Sequence, residues 1–315
     1  MDIAAVSYRH EALPTVTPAT RSPWLNAFTV AVADGDYAAA LTALASTATG
    51  HAGTAPAAEK RAAVKTTLSN VPDQTLPAAA MWFAAQSSDT AKELGALLLA
   101  NSYPRHKKEA MSALRRLADD PNWEVREWAG SAAGTIFGRD FDCVLPEMNE
   151  WLQDPSQFVR RAVCLAIIGA ADDGDPGHAE PLLRLADVLV TDPAEEVKRN
   201  TGPFAVGGKL LGRYPEQTLA HVRRWASSDD EMPRWNAAMV FVAANSRKHV
   251  DVGLQLLSGL ATDKRRPVWM AVASALKHLL KREPERVEKE LRRWLKDDRK
   301  VPASLALRTI TLAER

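Results

Sequence analysis

The chain has only two cysteines, Cys143 and Cys164, in 315 residues. That content excludes a disulfide scaffold, and no Cys-x-x-Cys spacing points to a zinc or redox site. Both cysteines fall in apolar-periodic segments, so two buried thiols in a reducing compartment are expected. No apolar run approaches the roughly 18 residues of a membrane span, so no transmembrane helix and no membrane partner are expected. Met1-Asp2-Ile3 has neither the basic patch nor the apolar core of a secretory signal, which makes the cytoplasm the expected location. The sequence also lacks a Gly-x-Ser-x-Gly elbow, a Walker loop and a His-Glu-x-x-His pair, so readings as a serine α/β-hydrolase, a P-loop nucleotide enzyme or a zinc protease find little support. Its seven histidines are scattered. Sustained period-2 alternation and an Asn-Gly hairpin are absent, which removes the usual signals of a sheet.

What is present is a globular composition, 46% hydrophobic and 25% charged, long enough for a substantial core. The net charge of +1 hides a polarity. Residues 201–315 carry 22 cations against 13 acids, whereas residues 101–200 carry 12 against 18. A basic C-terminal third suits a polyanion, although between Lys281 and Lys300 the interleaved Glu283, Glu285, Glu288 and Glu290 equally suit paired charges on a solvated helix.

The chain repeats itself. Asp120, Asp154, Asp192, Asp230 and Asp263 each stand five residues before an apolar position (Val125, Val159, Val197, Trp235, Val268) that opens an amphipathic helix. A second marker, Pro146-Glu147, Pro215-Glu216 and Pro284-Glu285, opens helices that end near Trp151, Trp225 and Trp294. A period of this length built from two helices means an all-α solenoid of stacked antiparallel helix pairs, because one pair cannot bury its apolar stripe alone. Each aspartate is expected to cap free amides. Residues 1–22 form an irregular lead-in, and residues 23–315 a single HEAT-like solenoid domain whose clear repeats span 119–315. Thr47–Pro56 and Pro72–Pro77 read as breaks, and Asp172–Pro181 as a lengthened connection.

Cations crowd the helix openings: Arg126, Arg160, Arg161, Lys198, Arg199, Arg234, Lys264, Arg265 and Arg266. Repeated along a basic concave groove, they suit a phosphate backbone. The competing reading is structural, since an arginine after the apolar position can pair with the next repeat's aspartate. Trp123, Phe158 and Trp235 lie in the same stretch and can stack on a sugar, a base or a cation, or fill gaps between repeats. For Trp151, Trp225, Trp269 and Trp294 the gap-filling role is expected.

Trp123 and Glu127 are four apart and share a helix face. An aromatic wall beside a carboxylate can stabilise positive charge and orient water, as at an oxocarbenium-like transition state. On these residues, with Phe158-Val159-Arg160-Arg161-Ala162 and Glu196-Val197-Lys198-Arg199, residues 119–243 resemble the HEAT-like-repeat DNA glycosylases, the AlkC and AlkD type of DNA alkylation repair protein. The resemblance implies excision of cationic N3- or N7-alkylated purines, including bulky adducts, from double-stranded DNA, with no metal and no organic cofactor; separately, a monomer is expected. It makes Glu127 the catalytic carboxylate, Trp123 the first aromatic wall and Arg161 the phosphate-gripping arginine. A second tryptophan is expected near 203–205, where the chain has Pro203-Phe204-Ala205; Phe204 supplies the ring. Arg126, Arg160, Lys198, Arg199, Arg234, Trp235, Lys264, Arg265 and Arg266 complete the expected DNA contacts. The alternative is a HEAT-like scaffold without catalysis, in which Glu127 is a salt-bridge partner.

Overall fold

The structure, a computed structural model, describes residues 22–49, 53–172, 174–300 and 303. The lead-in before Ser22 and most of the chain after Lys300 lie outside the described residues. Among the described residues every regular element is helical, as the repeat predicts. The backbone gathers into two compact units that meet in sequence at Pro72 and Asp73.

The first unit contains α1 (Pro23–Ala33), α2 (Tyr37–Ala45) and α3 (Ala57–Asn70). Ser22 precedes α1, whose first helical residue is Pro23, a position where the missing N–H is not needed. Phe28, Ala40, Leu44 and Ala63 are fully buried in it.

The second unit is a two-layer stack. It opens with α4 (Leu76–Ala84) and α5 (Asp89–Ser102). The first layer continues through α7 (Trp123–Arg139), α9 (Gln157–Ala170), α11 (Glu195–Asn200), α14 (Glu231–Met239) and α16 (Arg266–Arg282). The second holds α6 (Lys107–Ala118), α8 (Phe141–Trp151), α10 (Ala179–Leu189), α13 (Pro215–Ala226), α15 (Val250–Leu260) and α17 (Pro284–Trp294). Between α11 and the short α12 (Leu211–Arg213) the chain winds as a π-helix, Thr201–Leu210. Counterparts in successive repeats pack on one another, α5 on α7, α7 on α9, α9 on α11 and α14 on α16 in the first layer, and α8 on α10, α10 on α13, α13 on α15 and α15 on α17 in the second. Fully buried Ile136, Phe137, Val163, Ile167, Leu182, Leu183, Leu276 and Leu279 run through the shared core, each stabilising the stack by roughly 1.5–3 kcal/mol over an exposed position. Trp151, Trp225 and Trp294 are buried gap-fillers, as expected.

Two expectations need correction. Pro146 does not open a helix: α8 begins at Phe141 and carries Pro146 inside it. Phe141 is the reason, buried and stacked between Phe137 (4.6 Å) and His178 (3.7 Å), which anchors the helix start a turn earlier. Cys143 is not buried. It is exposed in the first turn of α8, 3.6 Å from the Lys107 ammonium, whereas Cys164 is buried, and burial pushes its thiol up to about 11.

The tightest packing joins α7 to α9. A Cβ built on Gly169 would lie 2.7 Å from the Gly134 carbonyl carbon, a distance no side chain tolerates, so the two backbones touch there. Gly169→Ala should therefore destabilise the second unit by about 1–3 kcal/mol through forced separation of α7 and α9. Gly259→Ala, in α15 with nothing within 4 Å, should leave stability unchanged or raise it by up to about 1 kcal/mol. Urea unfolding of the two variants checks the contrast; equal effects would refute the close approach.

Candidate functional site

A ladder of aspartates and arginines holds one edge of the second unit. The Oδ1 atoms of Asp120, Asp154, Asp192 and Asp263 accept from the amides two residues on, at 2.8–2.9 Å. The aspartates thus shape the turn before each helix. The helix cap is a later residue: Asn122 accepts from the Glu124 amide and Ser156 from the Phe158 amide. Each turn is also gripped by a cation. Lys92 reaches Asp120 at 2.8 Å, Arg160 reaches Asp192 at 2.6 Å and Arg234 reaches Asp263 at 2.6 Å. Arg115, from the second layer, holds Asp154.

The ladder fixes the register of the fourth repeat. Arg126 donates to the Asp120 carbonyl, Arg160 to that of Asp154 and Arg234 to that of Ser228. Each bond spans six residues, so Ser228, not Asp230, occupies the aspartate's place. Lys198, whose counterpart Arg160 finds Asp192, has no such carboxylate to meet. Its ammonium lies 4.5 Å from the centre of the Trp235 ring, a cation–π contact.

This arrangement sorts the predicted DNA contacts. Arg126, Arg160 and Arg234 spend their guanidinium donors on the protein itself. Arg126 also lies 4.0 Å over Phe158, and its burial, together with the neighbouring Arg161 charge, lowers its pKa. Arg265 is bound to Asp263 at 2.7 Å and donates to the Asp229 carbonyl. Arg199 pairs with Glu195 at 2.7 Å on the surface. Lys264 and Arg266 are exposed.

The residues expected to carry chemistry lie on the outward side of α7, α9 and the α11–π run. Trp123 opens α7 and is 57% exposed, unusual for an indole in a stack that buries three others. Glu127, one turn on, has its carboxylate half exposed, and its Oε2 accepts from Arg161 Nη2 at 2.5 Å. The partner is on α9, so the bond spans two repeats. Glu196 of α11 stands on the other side of Arg161, 3.8 Å from its Nε. Sequence reasoning missed Glu196; its signal was the position before Val197, matching Glu124 before Val125.

Phe204 is exposed at 41% on the π-helix. That winding has a local cause. Pro203 has no N–H to give an ordinary helix, and a Cβ on Gly207 would collide with the Val240 carbonyl, so the segment lies directly on its neighbour. The fully buried Asn236 fastens it, accepting from the Gly202 amide at 3.0 Å and donating to the carbonyls of Val190 and Met232 at 3.1 Å. The structure joins Glu127, Arg161 and Glu196. Among the described residues, no ring contact joins Phe204 to Trp123.

The second layer carries another polar cluster. His221 of α13, buried, faces Asp187 through Nδ1 at 3.0 Å and Glu180 through Nε2 at 3.2 Å, both from α10. Arg224 and the Trp225 indole also donate to Asp187. The hydrogen bond from His221 holds the Glu180 carboxyl below its ordinary range. An open cleft of about 480 Å³ lies beside it, bordered by Arg184, Arg224 and Pro233. Among the described residues, no group of three or more His, Cys, Asp or Glu is placed to hold a metal ion, and no helix is long and apolar enough to cross a membrane.

Residues 54–204, just under half of the chain, match the family described as DNA alkylation repair enzyme. The match begins well before residue 119, so more of the N-terminal part belongs to the resemblance than the repeat pattern alone suggested. No curated protein matches the chain significantly. Among solved structures, the chain is similar to the Escherichia coli protein YibA, with 18% identity over 93% of this chain and 99% of that one and a TM-score of 0.40. It is also similar to a designed armadillo repeat protein, with 18% identity over 65% of this chain and 99% of that one and a TM-score of 0.32. A further engineered protein matches at 15% identity over 82% of this chain and 99% of its own, with a TM-score of 0.34.

The ladder has a consequence for acid stability. Hydrogen bonds from Arg265 first, and from Arg234, hold the Asp263 carboxyl far below the ordinary carboxylate range. A depressed carboxyl contributes stability above the unfolded-chain value of about 4 and loses it as pH falls below that. Asp263→Asn should therefore lower Tm at neutral pH, and its gap from the parent protein should narrow steadily below about pH 4. Thermal melts across that range check the sign; a gap independent of pH would show that the ion pairs contribute nothing.

Proposed function

We propose that this chain is a DNA glycosylase that hydrolyses the N-glycosidic bond of cationic N3- or N7-alkylated purines in duplex DNA, a reading supported by the match of residues 54–204 to the family described as DNA alkylation repair enzyme. The observation that carries the reading is the exposed Trp123 one helical turn from the Glu127 carboxylate, with Arg161 beside it at 2.5 Å. The three supply a ring for a cation, an anion for developing positive charge and a cation for a phosphate.

In the proposed reaction the bond between C1′ and the purine nitrogen breaks, and its electron pair leaves with the base. The alkylated ring starts cationic and departs neutral, so no acid is needed to protonate it. Positive charge grows on the deoxyribose, where the Trp123 face and the Glu127 carboxylate oppose it. Glu127 orients the incoming water and takes its proton as the new C1′–O bond forms. Phe204 provides a second aromatic surface. Arg161 meets the backbone, and the exposed Lys264, Arg266 and Arg199 add sequence-independent phosphate contacts. Most glycosylases draw the base into an enclosed pocket. An open, aromatic-edged face instead suits attack on a nucleotide still in the stack, and it leaves room for bulky adducts such as those of DNA-alkylating natural products.

The second reading is a non-catalytic scaffold. What favours it is the Glu127–Arg161 bond itself, which also resembles the contacts that tie neighbouring repeats. Incubation with alkylated duplex DNA separates the two. The purified protein should release 7-methylguanine or 3-methyladenine, and Glu127→Gln should reduce release by about a hundredfold or more while duplex binding persists. No release from simple or bulky lesions would leave the scaffold. Arg161→Ala should lower the dependence of lesion-DNA affinity on salt by about one phosphate contact, measured by titration at several ionic strengths; an unchanged slope would remove Arg161 from the interface.

A further inference from the structure

Arg161 is held by two acids from different repeats, and the three groups differ in freedom. The arginine side chain is only 15% exposed, while the carboxylates of Glu127 and Glu196 are 45% and 40% exposed. Its Nε is buried with no hydrogen-bond partner, although Glu196 stands 3.8 Å away. The cation is therefore fixed in the stack, and the anions are the parts that can turn. Arg126, one residue before Glu127, is committed to the carbonyls of Asp120 and Pro121 and to the Phe158 ring, so it offers Glu127 no replacement.

We infer that the Glu127–Arg161 ion pair is an exchange gate that selects a nucleotide carrying opposite charges on base and backbone. The inference rests on the proposed glycosylase reading and adds the means of selection. A phosphodiester that takes the Nη2 position of Arg161 displaces Glu127 from it. The freed carboxylate then faces an anionic duplex without a counter-ion. A cationic alkylated base supplies that counter-ion, so one ion pair is exchanged for two: phosphate with Arg161, and base with Glu127. A neutral purine supplies none, and the original pair stays closed. Glu196 is the positioning residue that keeps the guanidinium in place while Glu127 turns away.

The test uses binding to a short undamaged duplex, which no variant cleaves. Glu127→Gln opens the gate permanently, so it should bind this duplex about three- to tenfold more tightly than the parent. Its affinity should also fall more steeply with salt, by about one additional phosphate contact. Glu150→Gln, an equal charge change on the exposed surface of α8, should do neither. The tightening should vanish when Arg161→Gln is also present; if that double variant does not fold, the salt slope of Glu127→Gln against Glu150→Gln decides. Unchanged or weaker binding by Glu127→Gln, or equal tightening by both single variants, overturns the gate. Tightening without any base release from alkylated DNA leaves the gate and removes the glycosylase. Absence of duplex binding by every variant removes both.

Discussion

The contact that the site depends on is between two backbones. Where Gly134 of α7 meets Gly169 of α9, a single added carbon on Gly169 would lie 2.7 Å from its neighbour, and the two helices sit as close as their main chains allow. About two turns toward the N-terminus this closeness brings Glu127 within 2.5 Å of Arg161. A stack with ordinary side chains between these helices would leave the two groups to reach across water, where an ion pair is weak and mobile. Close packing makes it a defined object on a surface that also displays Trp123.

The cations divide by task. Arg160 and Arg234 follow one geometry, each with a carboxylate from the next turn and a carbonyl six residues back. They explain why the repeats stay in phase. Arg161, one residue after Arg160, points elsewhere and meets the acids of the outward face. Adjacent arginines on one helix thus serve the stack and the surface separately, because neighbours along a helix are about 100° apart around its axis.

This division shows what could be read from the sequence. Spaced aspartates and an apolar residue five positions on announced helix pairs, and Pro215 and Pro284 marked true helix starts, because both rules depend on backbone chemistry within a few residues. Pro146 misled because Phe141, stacked on Phe137 and on His178, which lies 37 residues further along the chain, outweighs it. The fourth repeat was read two residues out of phase, since Asp230 resembles the marker that Ser228 replaces. The Trp123–Glu127 pair was visible as an i, i+4 spacing. Glu196 was not, because its relation to Arg161 exists only once α9 and α11 are packed. Cys143 sits in an apolar-looking run whose buried face includes its neighbour Val144, and only the rotation of α8 decides which of the two looks outward.

The π-helix from Thr201 to Leu210 bears on how such a chain can change over time. A wider winding accommodates one more residue than an α-helix of equal height, without expelling it as a loop. The chain can thus carry a lengthened repeat while its ends remain docked, with Asn236 as the fixed post. Losing one residue from that stretch would return it to the narrower winding and leave the elements downstream in register. The π-helix is thus where this repeat can change length, and with it the position from which Phe204 looks outward, without disturbing its neighbours.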